Sequence, residues 1–237
     1  VGEQFFKDNF GLKVKATNVV GKDDGVEVYV HCEDHGIVFN ASLPLYKDAI
    51  HQKGSMRSND NGDDMSMMVG TVLSGFEYRA QKEKYDNLYK FLKENEKQYQ
   101  YTGFTKEAIN KTQNSGYENE YFYISAIPYN LAEYRDYFEP LLNKSDSEFS
   151  KELSNVKKQL KDKSKVSVTT TLFSKKKNYT KKSNSENVIK MAEEIKKDKE
   201  IPNGIELSIK FSDNKINTVK PNFNGESTSE YGVFDQE

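Results

Sequence analysis

Tryptophan is absent from the 237 residues, and cysteine occurs once, as Cys32. A lone cysteine excludes an intrachain disulfide. None is needed, because a chain of this length buries roughly 70–75% of its unfolded surface on folding. Charge of one sign is also lacking. The chain has 35 basic and 37 acidic residues, a net charge of -2. That balance excludes disorder driven by self-repulsion. It also argues against nucleic acid as a partner, since a polyanion-binding surface needs a basic excess. No apolar run approaches the ~20 residues of a spanning helix, and nothing near Val1 resembles a signal peptide. There is no phosphate loop followed by Lys-Ser/Thr, no GxGxxG and no GxSxG. No cofactor is expected.

What is present is a polar chain with mean hydropathy -0.86 and clear local periodicity. GEQFFKDNF, residues 2–10, predicts a short helix with Phe5, Phe6 and Phe10 on its apolar side and Gly11 as its stop. From Asn18 to Tyr46 the apolar residues alternate with polar ones, the mark of half-buried strands. Val26, Val28, Val30 and Cys32 face one way, and Glu27, Tyr29, His31 and Glu33 the other. Asp24-Gly25 suits a primed hairpin turn, and Asp34-His35-Gly36 reads as the second turn. Phe39, Ala41, Leu43 and Leu45 continue the buried face. The meander is the expected scaffold.

A polar loop, Gly54 to Asp64, precedes a helix expected from about Ser66 to Glu96. Val69, Val72, Phe76 and Ala80 form one stripe, and Tyr85, Leu88 and Leu92 a second. Gly70 and Gly75 inside it each cost about 1 kcal/mol relative to Ala. Close packing of helix against sheet is the reading adopted for them. Thr105 is placed to cap a short helix to Gln113. Tyr121 to Ile127 reads as a strand, and Leu131, Tyr134 and Phe138 as a short helix ended or kinked by Pro140. Ser145-Asp-Ser-Glu148 and Ser183-Asn-Ser-Glu186 are capping boxes opening helices with stripes at Phe149, Leu153, Val156, Leu160 and at Val188, Met191, Ala192, Ile195. KVSVTTTLF, ending at Phe173, and Ile205 to Phe211 read as strands. Ile216 to Val219 is a candidate pairing partner for the latter. In the tail, Tyr231, Val233 and Phe234 form a candidate docking tag.

The predicted fold is α+β: a mainly antiparallel sheet covered by helices, with a second, smaller helix/strand subdomain. Residues 1–143 are expected to form the core with the meander and long helix. Residues 144–220 would pack on it, and 221–237 would be an extended tail.

Asn18-Val-Val-Gly21, Asp24-Gly-Val-Glu-Val-Tyr-Val30, Ala108-Ile-Asn-Lys-Thr-Gln-Asn-Ser-Gly116 and Tyr121-Phe-Tyr-Ile-Ser125, in this order, resemble a staphylococcal family of uncharacterised lipoproteins, a domain family of unknown function. The resemblance is best over roughly the first 140 residues. It implies a lipid anchor upstream of Val1 and a location on the outer face of the bacterial cell membrane. It supplies no active-site residues.

Three groups of residues are candidates for function. His31 and His35, flanking Cys32, Glu33 and Asp34, contain metal-ligand types and underlie an alternative reading as a metal-dependent hydrolase of the cell envelope. Strand geometry opposes it, because His31 and Cys32 point to opposite faces and only His51 is left to add. The bland reading is a buried thiol and two solvated histidines. Lys175-Lys-Lys177 with Lys181-Lys182 is a basic cluster suited to anionic lipid or wall polymer, or simply a solvated turn. Tyr117, Tyr121, Tyr123 and Tyr129 belong to a tyrosine-crowded segment, and tyrosine is enriched at interfaces. They are the expected patch for a protein or cell-wall polymer partner, against the alternative that alternate rings pack the core. Asn59-Asp-Asn-Gly62 fails as a calcium loop, since Arg57 and Met68 would stand where acidic ligands are needed.

Overall fold

A computed structural model describes residues 1–47, 63–106, 108–109, 116–161, 165–175, 181–212 and 229–233. In chain order the elements are α1 (Gly2–Phe10), β1 (Val14–Lys22), β2 (Gly25–Asp34), β3 (Ile37–Tyr46), α2 (Asp63–Ala80), α3 (Lys82–Glu94), α4 (Glu96–Tyr99), β4 (Tyr101–Thr102), β5 (Tyr117–Glu118), β6 (Phe122–Ser125), α5 (Leu131–Glu133), α6 (Asp146–Gln159), β7 (Val166–Thr170), β8 (Leu172–Ser174), α7 (Lys181–Lys197), β9 (Ile205–Ser212) and β10 (Ser229–Val233). The class is α+β. The contacts form two units. The first comprises Val1–Gln81, Glu107–Glu118 and Ile124–Ser164, and the second Lys82–Lys106, Asn119–Tyr123 and Lys165–Glu237. This division differs from contiguous segments broken near Asn143. The cause is α6, whose Phe149, Leu153 and Val156 belong to the core of the first unit.

The first unit is built on the antiparallel sheet β1-β2-β3. Cross-strand pairs Val26–Leu45, Val28–Leu43, Val30–Ala41 and Cys32–Phe39 put the expected apolar set on one face. Phe5, Phe6 and Phe10 of α1 join them, and Gly11 closes that helix at φ 65°. The two hairpins differ from expectation in one respect. The loop between β1 and β2 is Asp23-Asp24, with Lys22 paired to Gly25, and no residue there has positive φ. Gly25 is required instead by space, since a Cβ would run into the Leu45 carbonyl. The left-handed pair lies in the second hairpin, at His35 (φ 51°) and Gly36 (φ 72°), where it matches the strand twist.

Helix α2 sends Val69, Val72, Leu73 and Phe76 into the core. Both of its glycines are sites of close approach. A Cβ on Gly75 would lie 2.9 Å from the Val38 carbonyl oxygen, and one on Gly70 3.2 Å from that of Ala126. The helix expected to run to Glu96 is interrupted at Gln81, so its two stripes serve different units.

After α5, opened by a capping box of Asn130 and Glu133, the backbone widens into a π turn over Tyr134–Phe138. It then tightens into a 3-10 turn over Glu139–Leu141. Pro140 has no N–H to continue an α-helix. The Tyr134 hydroxyl donates to the Phe10 carbonyl at 2.8 Å. Helix α6 starts at the expected capping box of Ser145 and Glu148. Arg79, at the end of α2, donates to Asp146 Oδ1 (3.0 Å) and to the carbonyls of Leu142 (3.2 Å) and Lys144 (2.7 Å). Its guanidinium lies 4.1 Å from the centre of the Phe149 ring.

The second unit contains strands in the order β4-β8-β9-β7, with β10 also paired to β9. β7 and β8 both run parallel to β9. A parallel pair needs a long crossover, and α7 supplies it, burying Val188, Met191, Ala192 and Ile195. Ile205, Leu207, Ile209 and Phe211 alternate inward as expected. Tyr231 and Val233 lie in β10, paired with Ile209 and Leu207. The loop Gly54–Gly62, residues 107 and 110–113 of the expected short helix, Ile216–Val219 and Phe234 lie outside the described residues.

Two glycines test the packing argument. Gly75→Ala improves helix propensity but sets a methyl against β3 backbone, so a net loss of about 2 kcal/mol is expected. Gly21 in β1 has nothing within 4 Å of the point where a methyl would stand, so Gly21→Ala should gain about 0.5 kcal/mol. Urea unfolding of both variants provides the check, and opposite signs are the expected result.

Candidate binding groove and the tyrosine-rich segment

The His31–His35 stretch is used structurally. His31 pairs with Asn40 across β2 and β3, and its Nδ1–H donates to Asn40 Oδ1 at 2.8 Å. Asn40 also exchanges two backbone hydrogen bonds with Gly116, both 2.8 Å. Cys32 points to the other face and is fully buried. Its Sγ–H donates to the Lys13 carbonyl at 3.6 Å, and burial pushes the thiol up to about 12. Asp34 accepts from the Lys13 N–H at 2.8 Å. His35 occupies the left-handed turn, 3.9 Å from Asp34. Among the described residues no three His, Cys, Asp or Glu side chains are placed to hold a metal. The hydrolase alternative is therefore not supported: alternation along β2 turns the Cys32 thiol and the His31 imidazole to opposite faces, and the second histidine is committed to a turn. His51 lies outside the described residues, as do the side chains of Lys176, Lys177, Lys181 and Lys182.

The four tyrosines divide between the units. Tyr117 is buried and stacks on Tyr78 with centroids 3.9 Å apart and planes at 16°. Tyr129 is half-buried, 5.0 Å from the Phe138 ring. Both belong to the first unit. In the second, Tyr121 is buried among Tyr89 (5.3 Å) and Tyr101 (6.5 Å). Its hydroxyl donates to Glu96 Oε1 at 2.9 Å, while Lys175 Nζ holds Oε2 at 3.1 Å. Burial first, and then the Glu96 carboxylate, push the Tyr121 hydroxyl pKa up. Tyr123 is half-buried. Two of the four rings thus serve internal packing, and Tyr123 and Tyr129 retain partial access to solvent.

Between Tyr123 and Tyr129 the chain forms one wall of a groove in the first unit. Ile124, Ser125, Ala126 and Pro128 face Met67, Gly70, Thr71 and Ser74 of α2 across about 300 Å³. The absent side chain of Gly70 lets the walls converge at its floor. Ser74 Oγ–H donates to the Thr71 carbonyl at 2.6 Å and its oxygen accepts from the Tyr117 N–H at 2.7 Å. The Thr71 hydroxyl donates to the Met67 carbonyl at 3.0 Å. None of the eight lining residues is ionisable. Among the described residues that line the groove, none is a base that could pair with the Ser74 or Thr71 hydroxyl, as covalent chemistry through either would require. Its volume lies at the lower end of the ligand-pocket range. The sequence signal for it is Gly70 together with the small residues Ser125 and Ala126, and Gly70 by itself reads only as packing.

Residues 1–237 match the family described as Protein of unknown function (DUF1672). The chain belongs to the DUF1672 family. Its fold is similar to the crystal structure of a DUF1672 family protein from Staphylococcus aureus subsp. aureus Mu50, with TM-score 0.90 and 57% identity, covering 99% of this chain and 86% of that one. Among curated proteins none matches the chain. The family resemblance read from the sequence thus holds for the domain of unknown function and extends over the whole chain.

Two outcomes test the structural roles assigned to the histidine–cysteine stretch in this DUF1672 chain. The native Cys32 thiol should react with a maleimide at pH 8 about a hundredfold more slowly than the unfolded chain, because both access and thiolate are suppressed. His35→Asn should leave stability within about 0.5 kcal/mol, since Asn tolerates positive φ, whereas His35→Val should cost about 1–2 kcal/mol. Denaturant titration of the two variants separates a turn residue from a ligand.

Proposed function

We propose that the protein is a noncatalytic binding module, lipid-anchored on the outer face of a bacterial membrane. In this reading it takes an uncharged segment of a protein or cell-envelope polymer into the groove between α2 and Ser125–Pro128. The observation that carries the reading is the lining: apolar and hydroxyl side chains, no ionisable group, and two hydroxyls already engaged with backbone. Such a surface contributes shape and apolar contact rather than proton transfer or ion binding. The half-exposed Tyr129 follows Pro128 directly and can extend the surface at low entropic cost. The location rests on the resemblance to a lipoprotein family.

Ser125 is exposed, so Ser125→Lys introduces charge without disturbing the core. The protein is immobilised and offered purified envelope polymer and envelope protein extracts. A species retained by wild type and by a Lys151→Ala control should be lost, by about tenfold or more, with Ser125→Lys. Equal retention by Ser125→Lys removes the groove from the proposal. Metabolic labelling of the natural gene product with an alkyne fatty acid tests the anchor, and an unlabelled product would overturn the location.

A further inference from the structure

The methionines differ sharply in access. Met67 on the groove rim is 65% exposed, whereas its neighbour Met68 is 8% exposed and Met191 is fully buried. Met65 is half-buried against the core, and Met56 lies outside the described residues. The difference follows from helix geometry. Met68 falls on the face that carries Val69, Val72 and Phe76 into the core, and Met67 points away from it. Oxidation of a thioether requires an oxidant to reach the sulfur, and the product is a polar, chiral sulfoxide.

We propose that Met67 is the preferred oxidation site among the described methionines, with hydrogen peroxide as oxidant, and that its sulfoxide converts the groove rim from apolar to polar. One peroxide oxygen is transferred to Met67 Sδ. The S–O bond forms as the O–O bond breaks, sulfur loses two electrons, and the departing oxygen takes up the proton of the transferred hydroxyl and leaves as water. No backbone group must move, because the Met67 residue is already largely exposed. The lining otherwise holds only weak dipoles, so a sulfoxide oxygen becomes the strongest acceptor in the groove. It has no side-chain donor among the eight lining residues except the hydroxyls of Thr71, Ser74 and Ser125. Binding of an uncharged apolar segment should weaken accordingly. That consequence rests on the groove being a binding site; the order of oxidation does not.

The whole chain is treated with dilute hydrogen peroxide, digested, and mapped by fragment ions that place the sulfoxide within the peptide carrying Met65, Met67 and Met68. Met67 should oxidise about tenfold or more faster than Met68 and Met191, and its oxidation should leave the melting temperature unchanged. Met67→Leu should remove the fast phase from that peptide. Equal rates at Met68 or Met191, a fast phase that survives Met67→Leu, or a melting temperature that falls as Met67 oxidises would each overturn the assignment. A species captured by wild type and lost with Ser125→Lys should also be lost after oxidation of wild type and regained after treatment with methionine sulfoxide reductases; capture that survives oxidation would overturn the effect on the groove. If Ser125→Lys does not affect capture while Met67 still oxidises first, the groove reading fails and the oxidation site stands.

Discussion

Helix α2 can lie against β3 because Gly75 carries no side chain. A Cβ there would meet the Ile37 methyl and the Val38 carbonyl and amide together, and two of those three contacts are with backbone that cannot turn aside. The close approach fixes where every other residue of α2 falls. It lets Val72 and Phe76 reach the meander's apolar face, where the Phe76 ring meets Tyr134 at 6.0 Å and Phe149 at 5.4 Å. One turn later it places Arg79 over Phe149 and against the carbonyls that end the preceding helical stretch. The helix-terminal carbonyls of Leu142 and Lys144 would otherwise lack intrahelical partners. A guanidinium supplies donors in a planar fork that suits two carbonyls and a carboxylate at once.

The same helix carries a buried ion pair. Glu77 is nearly inaccessible and its carboxylate pairs with Lys157 of α6, whose side chain is about a quarter exposed. Desolvating a carboxylate costs several kcal/mol, which a single partner seldom recovers in full. Adhesion of α6 is better attributed to Phe149, Leu153 and Val156. The ion pair and Arg79 lie two residues apart on α2 and grip opposite ends of α6. Together they fix its register, which an apolar stripe alone would leave free to slide by a turn.

Much of this was legible in the sequence. Alternation placed Val26, Val28, Val30 and Cys32 on one face, and the Ser145 capping box located the start of α6. The break at Gln81 was harder to see because no Pro or Gly marks it. The stripes did carry the signal: Ala80 to Tyr85 is a step of five, where three or four keeps residues on one face. Dipeptide preference misassigned the primed turn. Asp24-Gly25 satisfied the rule, but Gly25 answers to the Leu45 carbonyl across the sheet, a contact no local pattern can report. Parallel pairing of β7 with β9 was hidden for a related reason. Each strand alternates as an antiparallel edge would, and the crossover through α7 becomes meaningful only once both strands share a sheet.

The tyrosine-rich segment shows how composition can mark a region without marking its working atoms. Large amphipathic rings are as useful for packing inside a unit as for recognition outside it, as the stacking of Tyr117 on Tyr78 and the hydrogen bond from the Tyr121 hydroxyl to Glu96 illustrate. The groove arises from what lies between the rings: small residues that leave space, set against a helix that gives up a side chain at Gly70. The hydroxyls of Thr71 and Ser74 are already engaged with backbone groups, so they offer little hydrogen-bond specificity to a ligand. Discrimination then falls to shape and to the one large flexible side chain on the rim, Met67. A thioether adapts its contour to a partner and is chemically changeable where it stands. The property that suits it to recognition is therefore also its exposure to oxidants.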